Sequence, residues 1–182
     1  SGLYIFYCNN AYEGERAGTR ILCDRMTAPD QLEGHPQCVV EPTLDEEIFM
    51  RDRFRPGQHW HTIEGAFYFF HEGYHYLMYS GACYQNPTYF IGYCTAHAPQ
   101  EADLRTLPWQ KFPDAHTYLP LMKKNTFMEG MGHNSVLFDG GKCYIVYHGR
   151  DLSDAQNPVD TRCARIDEMH VGQGRLSVTP TP

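Results

Sequence analysis

Three stretches of this chain are versions of one another, and that repetition restricts the fold more than any other feature. LYIFYCNN from Leu3, HYLMYSGA from His75 and CYIVYHGR from Cys143 are aromatic-rich strand patterns. Each leads through a loop into a second strand: GTRILCDR from Gly18, TYFIGYCTA from Thr88 and TRCARIDEM from Thr161. Aligning Tyr4, Tyr76 and Tyr144 gives spacings of 72 and 68 residues. In the second and third copies a further strand comes first, IEGAFYFFHEG from Ile63 and GHNSVLFDGG from Gly132, and each closes in a Gly-containing hairpin turn. The first copy has only Ser1 and Gly2 in that place. Radial repetition of small antiparallel sheets is the plan of a β-propeller, which carries about four to eight blades. Three copies, one lacking its first strand, do not close such a ring. The sequence therefore reads as an all-β chain, the back part of a larger propeller that begins inside a blade, with units over about 1–57, 58–125 and 126–182.

Composition agrees with short twisted strands and punctuated turns: 13 Tyr, 10 Phe, 16 Gly and 12 Pro among 182 residues. Helices should be scarce. At 42% hydrophobic the chain has enough apolar surface for a packed core. No run approaches the roughly 18 consecutive apolar residues of a membrane span. The 22 acidic and 15 basic residues leave a formal charge of −7, and no basic run exceeds Lys123-Lys124, which argues against a phosphate-binding nucleic-acid surface. Seven cysteines show no CxxC pairing; Cys8, Cys23, Cys94, Cys143 and Cys163 lie in strand-like runs and read as small buried hydrophobes. The triplet Asn86-Pro87-Thr88 is blocked as a glycosylation acceptor by its proline. With no leader pattern at its start, the chain is expected to be reduced and cytoplasmic.

Between the copies, VVEPT from Val39 and YLPLMKK from Tyr118 are expected as outer blade strands. LDEEIFMRDRF from Leu44 is expected as a short helical or irregular loop with solvated ion pairs, Glu47 standing four before Arg51.

Polar residues at the start of inner blade strands converge on the central channel, which singles out Glu64 and His133. Glu64 lies 12 residues before Tyr76 and His133 lies 11 before Tyr144, nearly equivalent places in adjacent blades. Glu64 has the apolar flanks Ile63, Gly65, Ala66 and Phe67, a setting that suits a general acid at neutral pH; a solvated strand-edge carboxylate is the plain alternative. His133, in Gly132-His133-Asn134-Ser135, reads equally as a hydrogen-bonded core histidine. His59-Trp60-His61 puts two histidines on one strand face, but no Cys or third His stands at a zinc spacing. His71 and His75 bracket a hairpin turn and are expected to be exposed. Trp60, Tyr84 and Trp109 are aromatic candidates for stacking on a sugar, or core.

Ile63-Glu64-Gly65-Ala66-Phe67, the hairpin into YHYLMYSG and the later GHNSV with YIVYHGRD resemble glycoside hydrolase family 43. Their order and spacing look like the fourth and fifth blades of that family's five-bladed propeller, and TRCARIDEMHVGQGRLSVTPTP looks like its C-terminal stretch. Ala66 stands where the family often has proline. The resemblance implies a partial five-bladed β-propeller, roughly the last three blades with the first incomplete. It implies an inverting glycosidase of the β-xylosidase or α-L-arabinofuranosidase type, with an oligosaccharide as substrate and no organic cofactor. By motif, Glu64 matches the family's general acid. His133 matches a channel histidine that in many members helps hold a central metal ion, often calcium, frequently through water. Arg162 looks like the arginine that reaches the substrate, with Arg150 as rival.

The family's general-base Asp and pKa-tuning Asp would lie upstream of Ser1, so the isolated chain is expected to be inactive. Asp24, Asp45, Asp139 and Asp151 fall on outer strands or turns rather than channel strands and do not replace them. A second reading is a non-catalytic carbohydrate-binding or assembly module that completes its ring with another chain. Fructan hydrolysis or glycoside phosphorolysis, also run on five-bladed propellers, is disfavoured by the IEGAF and GHNSV pair.

Overall fold

The computed structural model describes residues 2–157 and 159–182. Ser1, the first residue of the first unit, lies outside the described residues. Strands β1 (Leu3–Ala11), β2 (Gly18–Ala28), β3 (Gln31–Leu32), β4 (Gln37–Val40), β5 (Ile48–Met50) and β6 (Trp60–His61) form a first sheet. Strands β7 (Ile63–His71), β8 (Tyr74–Gly81), β9 (Phe90–His97) and β10 (Gln110–Lys111) form a second, paired in sequence order. Strands β11 (Met128–Asp139), β12 (Lys142–Asp151), β13 (Cys163–Gly172) and β14 (Arg175–Val178) form a third in the same way. Among the described residues the helices are two single 3₁₀ turns, Asp45–Glu47 and Leu152–Asp154. No helix among the described residues is long and apolar enough to cross a membrane.

The second and third sheets are whole four-stranded blades, and the repeated segments occupy the same strands in each. In the first sheet β1 takes the place of a second strand, β2 of a third and β4 of a fourth; β1 is the free edge. One expected outer strand is displaced. Instead of the segment from Tyr118, Gln110–Lys111 forms the edge of the second blade, and the later segment touches β9 through a single bridge between Met122 and Ile91.

Strand alternation feeds two cores from one sheet. On β8, Tyr76 and Met78 point to the third blade while Leu77 and Tyr79 point to the first. On β9, Ile91 and Tyr93 join the former cluster and Phe90 and Cys94 the latter. A sheet covered on both faces has no room for polar alternation, which is why the middle blade reads as nearly continuous apolar runs. The third blade supplies Cys143, Ile145, Tyr147 and Met169 to the shared core. Its other face, with Leu137 opposite Tyr144 and Val146 opposite Ile166, is open, Leu137 being 48% and Ile166 55% exposed.

Hydrogen bonds stitch the blades at both ends. Thr19 Oγ1 donates to the Ile63 carbonyl at 2.7 Å and accepts from the Ile63 amide at 2.8 Å, fixing β7 against β2. The phenol oxygens of Tyr76 and Tyr93 accept from the amides of Gly174 and Leu176 at 3.0 and 3.2 Å, fixing the last hairpin against the middle blade.

Three expectations about single residues are corrected. Glu47 is buried without exposed surface and pairs with Lys111, not with Arg51, because the 3₁₀ turn aims it inward. His75 is also fully buried, its ring nitrogens meeting the Tyr68 hydroxyl at 2.8 Å and the Pro99 carbonyl at 3.0 Å. Cys23, Cys94 and Cys143 are buried as expected, but Cys8 on the free edge strand and Cys163 at the start of β13 are exposed.

Candidate functional site

The inner strands β7 and β11 carry the same irregularity. In β7 the pairing runs from Glu64 with Ser80 to Phe67 with Met78, so Gly65 and Ala66 together oppose one residue. In β11 it runs from Gly132 with His148 to Ser135 with Val146, so His133 and Asn134 do the same. Such bulges bend a strand and re-aim its side chains, and their first residue adopts a helical or left-handed backbone. Gly65 has φ of 63° and His133 has φ of 50°. The bulges define the equivalence of the two blades: Glu64 corresponds to Gly132, and His133 to Gly65. The sequence alignment of Glu64 with His133 is one residue out.

That shift has chemical consequences. Gly132 has no side chain where Glu64 has one, and the space is filled by the fully buried ring of Tyr89, against which a Cβ on Gly132 would lie at 1.8 Å. The Tyr89 hydroxyl donates to Glu64 Oε1 at 2.8 Å. His133 lays its exposed ring over Gly65, whose missing Cβ would sit 3.4 Å from the imidazole, and its amide donates to Ser80 Oγ at 2.7 Å. Glu64 itself is half-buried at the end of the blade, with Cys8 of the first sheet beside it, its Sγ 3.7 Å from the Ile63 carbonyl oxygen.

Behind Tyr89 stands His148, stacked on it with ring centroids 5.7 Å apart and planes 13° apart. Burial, then the charges of Arg162 and His133, lower the His148 pKa to about 4, so its imidazole is neutral at pH 7. Burial drives the Tyr89 phenol far above its ordinary value, keeping its proton in place as a donor.

Arg162 is exposed, lies 4.5 Å over the Tyr84 ring and donates from Nε to Asp160 at 2.6 Å. Its charge acts on both Tyr89 and His148. Arg150, the rival, is 9% exposed and donates to the Tyr84 carbonyl at 3.1 Å, with Glu129 3.7 Å away, which makes it a brace for the loop carrying Tyr84. Glu64, His133 and Arg162 thus gather around the Tyr89–His148 pair. Tyr89, His148, Ser80 and Asp160 went unnoticed in the sequence; the Asn86-Pro87 turn before Tyr89 gave no chemical signal.

The other candidates lie elsewhere. Trp60 packs in an aromatic cluster with Tyr12 and Phe54 and is 4% exposed, and Trp109 packs edge-on to Tyr68 and His75. Asp24 is buried and accepts from the amides of Arg25, Gly34 and His35; Asp45 pairs with Arg16, and Asp151 with Arg165. Calcium takes about six to eight oxygen ligands. Among the described residues no three His, Cys, Asp or Glu side chains are grouped to hold a metal. The described residues do not by themselves supply a calcium cage.

No protein-family profile and no curated protein matches the chain. Solved structures do match. A thermostable family-43 glycoside hydrolase is 30% identical with a TM-score of 0.71, over 98% of this chain and 55% of that one. An α-L-arabinofuranosidase from Lactobacillus brevis is 23% identical with a TM-score of 0.78, over 100% of this chain and 53% of its own. An endo-1,4-β-xylanase from Bacteroides thetaiotaomicron is 20% identical with a TM-score of 0.68, over 98% and 54%. The two lower identities speak to the fold alone. The chain spans about half the length of each of these structures. The resemblance to part of a family-43 propeller, read above from the IEGAF and GHNSV motifs, holds in three dimensions.

Proposed function

We propose that this chain, as part of a family-43 glycoside hydrolase propeller, supplies the general acid of an inverting glycosidase acting on xylan- or arabinan-derived oligosaccharides. The observation that carries this reading is the place of Glu64 beside the inner-strand bulge, with one carboxyl oxygen held by Tyr89 and, among the described residues, no hydrogen bond to the other. Glu64 gives the proton on that second oxygen to the glycosidic oxygen as the bond from that oxygen to the anomeric carbon breaks. A water attacks the opposite face of the sugar and loses its proton to a general base, so the configuration inverts. An Asp from outside these 182 residues is proposed as the base, the carboxylates of Asp24, Asp45 and Asp151 being engaged elsewhere. Arg162, which lies over the Tyr84 ring, is proposed to meet substrate hydroxyls, and His133 to stand on the channel side near Glu64.

The test compares this chain with a form extended through two upstream blades on chromogenic β-xylosides and α-L-arabinofuranosides. Cleavage by the extended form alone supports the reading; equal turnover by both removes the external base. Glu64→Gln in the extended form should slow substrates with poor leaving groups most, and unchanged rates would remove Glu64 as the acid.

The open apolar face of the third blade, Leu137 and Ile166 with Tyr144 and Val146, favours one further reading, an assembly module whose ring is completed by a second chain. A stable oligomer in gel filtration that binds xylan oligosaccharides without cleaving them would support it. A monomer without glycan binding would count against it.

A further inference from the structure

We propose that Asp160 and Arg150 are positioning residues that clamp the Arg162 guanidinium against the Tyr84 ring, and so build one sugar-binding subsite from the loops of two neighbouring blades. The inference rests on the assignment of Arg162 as the arginine that meets substrate hydroxyls and adds to it the two residues that hold it.

The two halves of the subsite come from different parts of the chain. Tyr84 stands in the connection from β8 to β9 of the second blade, and Arg162 immediately before β13 of the third. Tyr84 is 41% exposed, with the Arg162 guanidinium carbon 4.5 Å from its ring centroid. An aromatic ring offers an apolar face to the C–H side of a sugar, and a guanidinium offers N–H donors in a fixed plane to its hydroxyls. The two act together only if their loops are held in register.

Asp160 sets the register at Arg162. Its Oδ1 accepts from the Arg162 amide at 3.3 Å and its Oδ2 from Arg162 Nε at 2.6 Å, so one carboxylate fixes both the backbone and the side chain. Among the described residues the Arg162 Nη groups have no hydrogen-bond partner, which leaves their hydrogens for a ligand.

Arg150 sets the register between the loops. Its Nη1 donates to the Tyr84 carbonyl at 3.1 Å and lies 3.8 Å from Asp160 Oδ1, so a single nitrogen meets both halves. Its Nη2 reaches the Gln85 carbonyl at 3.5 Å and lies 3.7 Å from Glu129 Oε1, while Glu129 Oε2 accepts from Lys124 at 2.7 Å. Gly130 gives this guanidinium its room, since a Cβ there would lie 2.7 Å from Nη2. Lys124, Glu129, Arg150, Asp160 and Arg162 thus alternate in sign, each acid between two bases, with Arg150 and Glu129 buried at the centre and Arg162 at the exposed end. A lysine at 150 would supply charge without the planar fork that spans two loops.

The experiment measures KM and kcat separately on chromogenic β-xylosides and α-L-arabinofuranosides, in the form extended through the upstream blades. Arg162→Ala should raise KM by about 10- to 100-fold with kcat little changed, the loss of charge-assisted contacts that hold the substrate throughout. Asp160→Ala should raise KM by about 5- to 10-fold, and Asp160→Asn, which keeps an acceptor oxygen, by less. Added to Arg162→Ala, Asp160→Ala should do nothing more, because it acts through Arg162. Arg150→Lys should also raise KM; an unchanged KM in a variant of normal melting temperature removes Arg150 from the clamp, and the exposed Asp160 decides the matter where Arg150→Lys is poorly folded. If Arg162→Ala raises KM and Asp160→Ala does not, or if their effects add in the double variant, Arg162 stands and the clamp falls. If Arg162→Ala leaves KM unchanged, both fall, and Glu64→Gln measured alongside tests the acid separately.

Discussion

Glu47, with no exposed surface, accepts a 2.5 Å hydrogen bond from the ammonium group of Lys111, 64 residues further along the chain. The other oxygen of Glu47 accepts from the amides of Thr43 and Leu44 at 2.7 and 3.0 Å, and Lys111 also donates to Thr43 Oγ1 at 2.9 Å. The pair ties the outer strand of the middle blade to the connection that enters it. Removing one partner strands a charge away from water, which costs about 3–5 kcal/mol. Lys111→Met should therefore lower the unfolding free energy by about that amount in denaturant titration, and Glu47→Gln added to it should restore part of the loss. A loss below about 1 kcal/mol for the single variant would show that the pair contributes as little as a surface one.

Gly132 is required by its neighbour rather than by its own backbone. A Cβ there would lie 1.8 Å from one Tyr89 ring carbon and 2.3 Å from another, and the ring has no exposed side toward which to move. Gly132→Ala should cost about 1–3 kcal/mol from overpacking and at the same time pull the Tyr89 hydroxyl from Glu64. Gly141→Ala is the control: nothing lies within 4 Å of its Cβ, and only its φ of 77° is unfavourable. Melting temperatures of the two variants decide the matter, with Gly132→Ala expected to fall further.

His61 gives the fold a predictable pH dependence. Its Nε2 lies 3.0 Å from Arg16 Nη1, which can only donate, so Nε2 accepts and the proton sits on Nδ1, 3.2 Å from the Ala17 carbonyl. Protonating Nε2 would set two donors against each other. Burial first, and the Arg16 charge, depress the His61 pKa, while Ala17, Glu47 and Asp45 act the other way and do not prevail. A histidine depressed in the folded state binds its proton more readily when unfolded. Its contribution is thus complete above the unfolded value of about 6.5 and is lost as pH falls through the lower folded value. Between pH 7 and 5 the melting temperature should drop, and His61→Gln should flatten that slope. An identical slope in wild type and variant would place the titration elsewhere.

The sequence carried the blade count and the strand order because strand alternation and hairpin turns recur in it, and Glu64 was visible from its apolar flanks and its distance to Tyr76. The error of one residue between Glu64 and His133 arose because a bulge adds a residue on one strand without changing composition. Tyr89 and Ser80 were invisible for another reason: an aromatic and a serine in a strand-rich chain look like core and turn until a partner 25 or 53 residues away is placed against them. Lys111 and Glu47 are the same case, since a buried ion pair is written in sequence as two surface residues.

The cysteines divide by blade position, and the division can be counted. Cys23, Cys83, Cys94 and Cys143 are buried; Cys8, Cys38 and Cys163 have solvent access. Burial pushes the thiols of Cys23 and Cys94 up to about 12 and that of Cys143 up to about 11. At pH 8 a thiol near 12 is about one part in ten thousand thiolate, the form that reacts with a disulfide reagent. Crowding around the sulfurs of Cys8 and Cys38 raises these thiols as well, from neighbouring atoms first and then from the charges of Glu64 and Glu41. In the folded protein an Ellman titration at pH 8 should therefore count at most three thiols, with Cys8 and Cys38 reacting faster as pH is raised, and all seven after unfolding. If Glu64 is the acid proposed above, a bulky adduct on the neighbouring Cys8 should inhibit glycoside cleavage by the extended form, and Cys8→Ser should protect it. Five fast thiols in the folded state would mean that the blade cores around Cys94 and Cys143 are open.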